Sequence, residues 1–266
     1  MTDRYAVIGN PVAHSRSPWI HAEFARATGQ AIEYGQIEAP LDGFARAVEE
    51  FRASGGKGLN VTLPFKEEAF RYCADSSPRA RAAEAVNTLV LERAAPYGDN
   101  TDGAGLVRDL EANLGFSLGG KRVLLAGAGG AARGVVEPLL AAGAARLVVA
   151  NRTATKARAL AARFAGVHGC GYDGLAGEAF ELVVNATSAG LSNEAPALPR
   201  SVFRDGCLAY DMLYGRDTPF LAMARAAGAR ASDGLGMLVE QAAESFLVWR
   251  GVRPDTAPVL AKLRGR

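Results

Sequence analysis

Polar residues gather at the strand ends and helix starts of the first part of the chain: Ser15 and Ser17, Asn60 and Thr62, Lys66, Asn87 and Asp102. They supply hydroxyl, amide, ammonium and carboxylate groups. That set suits a small polyhydroxylated ligand, because each ligand hydroxyl needs both a donor and an acceptor. Each residue also has a plainer reading. Ser17 and Asp102 are natural helix caps, Asn60 and Asn87 suit turns or strand ends, and Lys66 could be a surface cation.

A second chemistry lies further on. Lys121 to Ala126 reads as a buried strand running into the glycine-rich turn Gly127, Ala128, Gly129, Gly130, Ala131 and Ala132. A helix pattern follows as far as Leu140, with Gly143 placed to stop it, and Leu147 to Ala150 forms a second apolar run. In such a βαβ unit Gly127 permits the tight turn and Gly129 lets backbone approach a pyrophosphate. Ala132 takes the third small position, where helix and strand pack closely. The helix N-terminus then faces the anion.

Where an NAD-selective site would carry an acid, about 20 positions after the glycines, this chain has Asn151, Arg152 and Thr153, with Lys156 one helical turn later. Two cations and two hydroxyl or amide donors suit a ribose 2′-phosphate, which favours NADP. The plainer reading is a solvated helix start.

The elements that must position these groups alternate. Strand-like runs at Tyr5–Ile8, Ala31–Ile37, Leu59–Thr62 and Ala85–Leu91 are interleaved with helical spacing from Pro18 to Gly29 and from Gly43 to Arg52. The stretch from Pro96 to Asn100 reads as a turn, and a helix is expected from Gly103 to about Leu114. After the glycine turn come runs at Leu182–Asn185 and Cys207–Tyr210. Last comes a helix introduced by Gly234 and Gly236, in which Met237, Gln241, Glu244 and Val248 share one face. The fold class is α/β with two α/β domains, the second a Rossmann-type dinucleotide-binding domain. The expected division is 1–102, 103–236, and a C-terminal helical segment, 237–266, that returns to pack on the first domain.

Composition narrows the function classes. The 266 residues are 49% hydrophobic and 22% charged, with a net charge of +2, which are globular values without a basic run, so nucleic acid is not an expected partner. No window is apolar enough to span a bilayer, and a cytoplasmic protein is expected, with no membrane partner. Cys73, Cys170 and Cys207 are scattered and lack metal-ligand spacing with His14, His21 or His168, so no metal is expected. A homodimer stays open.

Taken in order, the motifs resemble the shikimate dehydrogenase family. His14-Ser15-Arg16-Ser17-Pro18, Asn60-Val61-Thr62-Leu63-Pro64-Phe65-Lys66, Ala85-Val86-Asn87-Thr88 and Gly98-Asp99-Asn100-Thr101-Asp102-Gly103 are similar to its substrate-domain motifs. Gly127 to Ala132, Asn151-Arg152-Thr153, Asn185 to Gly190 and Gly234 to Ala243 match its second half. The resemblance covers nearly the whole chain. It implies reduction of 3-dehydroshikimate to shikimate with NADPH, in aromatic amino acid biosynthesis, with that small acid as the partner molecule.

By the same resemblance, Ser15 and Ser17 bind the substrate carboxylate, and Asn60, Thr62, Asn87, Asp102 and Gln241 hold the ring hydroxyls. Lys66 and Asp102 are the catalytic pair. Asn185, Thr187, Met212, Gly234 and Met237 lie along the nicotinamide side, and Gly127 to Ala131 with Asn151, Arg152, Thr153 and Lys156 hold the phosphates. Tyr214 is expected over the substrate, although its loop to Thr218-Pro219 is one residue shorter than the family pattern. Two alternatives stand beside this: a quinate or dual quinate/shikimate dehydrogenase, which Arg152 disfavours, and a non-catalytic ligand sensor, which Lys66 with Asp102 disfavours.

Overall fold

The structure, a computed structural model, describes residues 2–265 and divides into two compact units, one of residues up to 105 together with 238 onward, the other of residues 106–237. The first contains β1 (Asp3–Gly9), α1 (Ser17–Thr28), β2 (Ile32–Glu38), α2 (Phe44–Ala53), β3 (Gly56–Val61), α3 (Lys66–Tyr72), β4 (Asp75–Ser76), α4 (Pro78–Ala83), β5 (Thr88–Val90), β6 (Tyr97–Asp99) and the start of α5 (Asp102–Arg108). Its sheet runs β2-β1-β3-β5-β6-β4. The strands β1, β2 and β3 are parallel, whereas β5 runs against both β3 and β6. That reversal sets Thr88 opposite both Asn60 and Asp99. The end of β3, the start of β5 and the end of β6 therefore lie at the same end of the sheet. Ile8, Phe44, Leu59, Phe65 and Leu89 fill the core on one side.

Local details differ from the expectations. Ser17 is not the N-cap of α1 but its first residue, and Arg16 caps without a side-chain bond. The Ser15 hydroxyl, one residue before the cap, accepts the first helical N–H, that of Ser17, at 3.3 Å. The strand expected over Ala85–Leu91 is confined to Thr88–Val90, because the Val86 N–H turns to the Lys66 carbonyl at 2.9 Å. Tyr97–Asp99, expected within a turn, is β6.

The second unit contains β7 (Arg122–Ala126), α6 (Gly130–Ala141), β8 (Arg146–Ala150), α7 (Ala154–Ala161), β9 (Val167–Cys170), β10 (Phe180–Asn185), β11 (Phe203–Asp211), α8 (Pro219–Ala226) and β12 (Arg230–Ser232). All its strands pair in parallel, in the order β12-β11-β10-β7-β8-β9. This is the doubly wound Rossmann order, whose direction reverses between β7 and β10, where such folds bind ligands. Along β7, Val123 and Leu125 join one core cluster while Leu124 and Ala126 join another. Burial on both faces is why the run is uniformly apolar. The helix expected from Gly103 to Leu114 is α-helical only to Arg108 and continues as a π-helical turn, Asp109–Asn113.

Two helices close the chain, α9 (Leu235–Arg250) and α10 (Ala257–Arg264). Within the first unit, Trp249 Nε1 donates to the Leu89 carbonyl at 2.9 Å, and its ring stacks on Tyr5 at 4.7 Å. From α10, Lys262 pairs with Glu23 of α1 at 2.6 Å. Among the described residues no helix is long and apolar enough to cross a membrane, and no cluster of His, Cys, Asp and Glu could hold a metal ion.

Candidate active site

In the first unit, α3 opens at Lys66 and α5 opens at Asp102, and the two side chains meet. Lys66 Nζ donates to Asp102 Oδ2 at 2.5 Å. Asp102 Oδ1 accepts from Asn87 Nδ2 at 2.9 Å, and the same amide nitrogen lies 3.3 Å from Gln241 Oε1. Gln241 reaches this point because Gly105 has no side chain. A Cβ there would stand 2.7 Å from the Gln241 backbone nitrogen, so α5 and α9 touch backbone to backbone. Asn100 Oδ1 accepts the Asp102 N–H at 3.1 Å and sets the start of α5. The structure thus brings Lys66, Asn87, Asp102 and Gln241 into one hydrogen-bonded group. Asp102 takes one N–H of the ammonium, which leaves two for a ligand.

The two asparagines are largely committed to the protein. Asn87, 2% exposed, accepts from the Thr101 N–H at 2.8 Å and from Thr88 Oγ1 at 2.9 Å. Asn60 gives its Nδ2 to the Asn87 carbonyl at 3.1 Å and to Ser245 Oγ at 2.9 Å, and accepts from the Tyr34 hydroxyl at 2.7 Å. Thr62 follows β3, half-buried, with its N–H on the Ile8 carbonyl. Ser15 and Ser17 stand at the entrance of α1, and the Gln36 amide ties their loop to β2 through the Val12 and Ser15 carbonyls, both at 3.2 Å.

In the second unit, Gly127 has φ 119, and a Cβ there would meet the Ala186 carbonyl oxygen at 2.9 Å. Only glycine tolerates both. Gly129 caps α6 without a side-chain bond, and nothing lies within 4 Å of where a Cβ on Gly129 or Gly130 would be. No atom crowds that side of the turn, and the first N–H groups of α6, which have no partner within the helix, can serve a pyrophosphate beside Ala128 and Ala131. At the end of β8, Arg152, Thr153 and Lys156 are exposed or partly so, and Asn151 Nδ2 donates to the Thr153 carbonyl at 3.1 Å. Thr153 caps α7 without using its hydroxyl. No carboxylate lies between 151 and 156, so the donors present fit a 2′-phosphate.

Beside the glycine turn, Asn185 is fully buried. It accepts from the Thr187 N–H at 3.1 Å and from Thr187 Oγ1 at 2.7 Å, and donates to Asp211 Oδ1 at 3.2 Å. Burial raises the Asp211 carboxyl above its ordinary range, and hydrogen bonds from Thr218, Leu213 and Asn185 work against that shift. Gly234 lies against Met212, whose carbonyl oxygen would be 2.4 Å from a Cβ. The Met237 N–H donates to the Tyr210 hydroxyl at 3.3 Å, and Tyr210 in turn donates to Asp109 Oδ2 at 2.6 Å. Burial first, then the Asp109 charge, push the Tyr210 phenol well up. Tyr214 is half-buried on the loop between β11 and α8.

Sequence reasoning missed the supporting layer: Tyr34, Thr88, Asn100 and Ser245 in one unit, Asp109, Asp211 and Thr218 in the other. Only Thr218-Pro219 carried a local signal, that of a helix N-cap followed by proline, and Thr218 does accept the Leu221 N–H.

The class defined by these features is a dinucleotide-binding α/β oxidoreductase. Three family descriptions match in order: "Shikimate dehydrogenase substrate binding domain" over residues 7–89, "Shikimate / quinate 5-dehydrogenase" over 110–192, and "Shikimate 5'-dehydrogenase C-terminal domain" over 234–264. The chain belongs to the shikimate dehydrogenase family. It is 61% identical to a shikimate dehydrogenase (NADP(+)) of Aromatoleum aromaticum, covering 98% of this chain and 97% of that one. Among solved structures, an Ael1 enzyme from Pseudomonas putida is similar with TM-score 0.93 at 50% identity, covering 98% of both chains. Shikimate 5-dehydrogenase of Thermus thermophilus, in complex with NADP(H) and shikimate, is similar with TM-score 0.90 at 36% identity, covering 99% of both.

Proposed function

We propose that this chain is an NADP-dependent shikimate dehydrogenase that reversibly reduces 3-dehydroshikimate to shikimate in aromatic amino acid biosynthesis. The observation that carries the chemistry is the Lys66–Asp102 pair, 2.5 Å apart and held by Asn87. Bound NADPH would supply a hydride for the ketone carbon, which leaves the electron pair on the carbonyl oxygen. Lys66 donates a hydrogen bond to that oxygen and then its proton, so that the product is the neutral alcohol. In the oxidative direction Lys66 receives the proton back. Asp102 orients the ammonium and, with its spare lone pairs, accepts from a neighbouring ring hydroxyl.

Ser15 and Ser17 take the carboxylate at the entrance of α1, and Asn60, Thr62, Asn87 and Gln241 complete the hydroxyl contacts. In this reading residues 1–102 with 237–266 serve the substrate and 103–236 serve NADP. Tyr214 is a further substrate contact, offered from its loop. A biosynthetic dehydrogenase of this kind works in the cytosol, and that location is part of the proposal. The test is growth of the NADPH absorbance band when the protein is mixed with NADP and shikimate, with quinate and NAD as parallel arms. No absorbance change with shikimate and NADP overturns the assignment, and faster turnover of quinate redirects it.

A further inference from the structure

Tyr34 lies on β2 between the exposed residues Glu33 and Gly35, yet its ring turns inward. It stacks on His21 at 4.2 Å with 5° between the planes. His21 is fully buried, and neither of its ring nitrogens has a partner in hydrogen-bonding geometry, so it offers Tyr34 chiefly a flat face. The Tyr34 hydroxyl donates to Asn60 Oδ1 at 2.7 Å. Asn60, 6% exposed, has its two N–H bonds on the Asn87 carbonyl and Ser245. Its amide therefore presents only an acceptor to a ligand, and Tyr34 holds the oxygen in that direction.

We propose that Tyr34 is a positioning residue of the substrate site, its hydroxyl holding the Asn60 amide in the direction a substrate hydroxyl needs. The inference rests on the reading of Asn60 as a substrate contact. Buried Asn60 loses a donor when the phenol is removed, and its amide loses its fixed direction. Burial keeps the phenol protonated by pushing its ionisation well up, so the hydroxyl stays a donor at any working pH.

Tyr34→Phe keeps the stack and removes only the hydroxyl. The expected result is a KM for shikimate raised roughly three- to tenfold, the worth of one net hydrogen bond. The KM for NADP should be unchanged and kcat should stay within about twofold. In a second arm, Asn60→Ala should raise the shikimate KM by a smaller factor in the Tyr34→Phe background than in the parent. A parent-like KM in Tyr34→Phe, equal Asn60 effects in both backgrounds, or a melting temperature far below the parent's would each overturn the proposal. A parent that does not oxidise shikimate overturns the function itself, which separates the two failures.

Discussion

Lys66 has one carboxylate to lean on and two N–H bonds left for a substrate, so its loss should fall on the chemical step. Lys66→Met is expected to lower kcat by at least roughly a hundredfold while the Kd for shikimate changes little. Turnover near the parent rate would remove Lys66 from the mechanism. His21 makes a different prediction. Burial holds its imidazole down to about 3, against 6.5 for the free side chain, with the neighbouring Asn60 amide opposing that shift. Below pH 6.5 the unfolded chain binds a proton that the folded chain refuses, so stability falls as pH drops from 6.5 toward 3. Between roughly pH 7 and 5 this amounts to about 2 kcal/mol. Urea unfolding at both pH values should show that loss in the parent and a much smaller one in His21→Phe. Equal losses in the two proteins would show that other groups carry the acid sensitivity.

At the scale of elements, two glycines, Gly105 and Gly236, decide how closely helices approach. A Cβ on Gly236 would stand 1.9 Å from the Asp109 carboxylate, the acceptor for Tyr210, which in turn receives the Met237 N–H. Gly236→Ala should displace this chain of contacts, costing about 1–3 kcal/mol of stability and raising the KM for NADP more than that for shikimate. A variant with parent-like melting and an unchanged NADP KM would show that Asp109 moves aside freely. What was legible in the residues follows the same division. The apolar run of β7, its glycine turn and the position of Arg152 are local features, and periodicity and turn chemistry reported them. The π-helical turn at Asp109 was not legible, because a helix that widens by one residue keeps an apolar pattern close to that of an α-helix. β4 escaped because two residues, Asp75–Ser76, carry no period. The Ser17 cap was misplaced by one residue, since Ser17 satisfies the local rule for a cap and only the backbone at Arg16 decides otherwise. Tyr34, Thr88 and Ser245 were out of reach, because their partners lie 26, 157 and 185 positions away.

For the molecule as a whole, cofactor choice is separable from stability. Arg152, Thr153 and Lys156 lie outside the buried clusters of the second unit. Arg152→Ala should therefore lower the ratio of kcat/KM for NADP over NAD by at least about tenfold, the worth of one charge-assisted hydrogen bond, with the melting temperature unchanged. An unchanged ratio would assign the 2′-phosphate to other residues. The substrate unit is different, because it is discontinuous: residues up to 105 are completed only by those from 238 onward. A chain leaving the ribosome N-terminus first presents β1 to β6 long before Gln241, Ser245 and Trp249 exist to cap them. The continuous unit of residues 106–237 can close as soon as it has emerged, whereas Asn60 and Asn87 each wait for one partner, Ser245 and Gln241. Substrate recognition therefore waits for the residues from 238 onward, and a chain cut short before residue 238 would carry a complete dinucleotide-binding unit joined to an incomplete substrate unit.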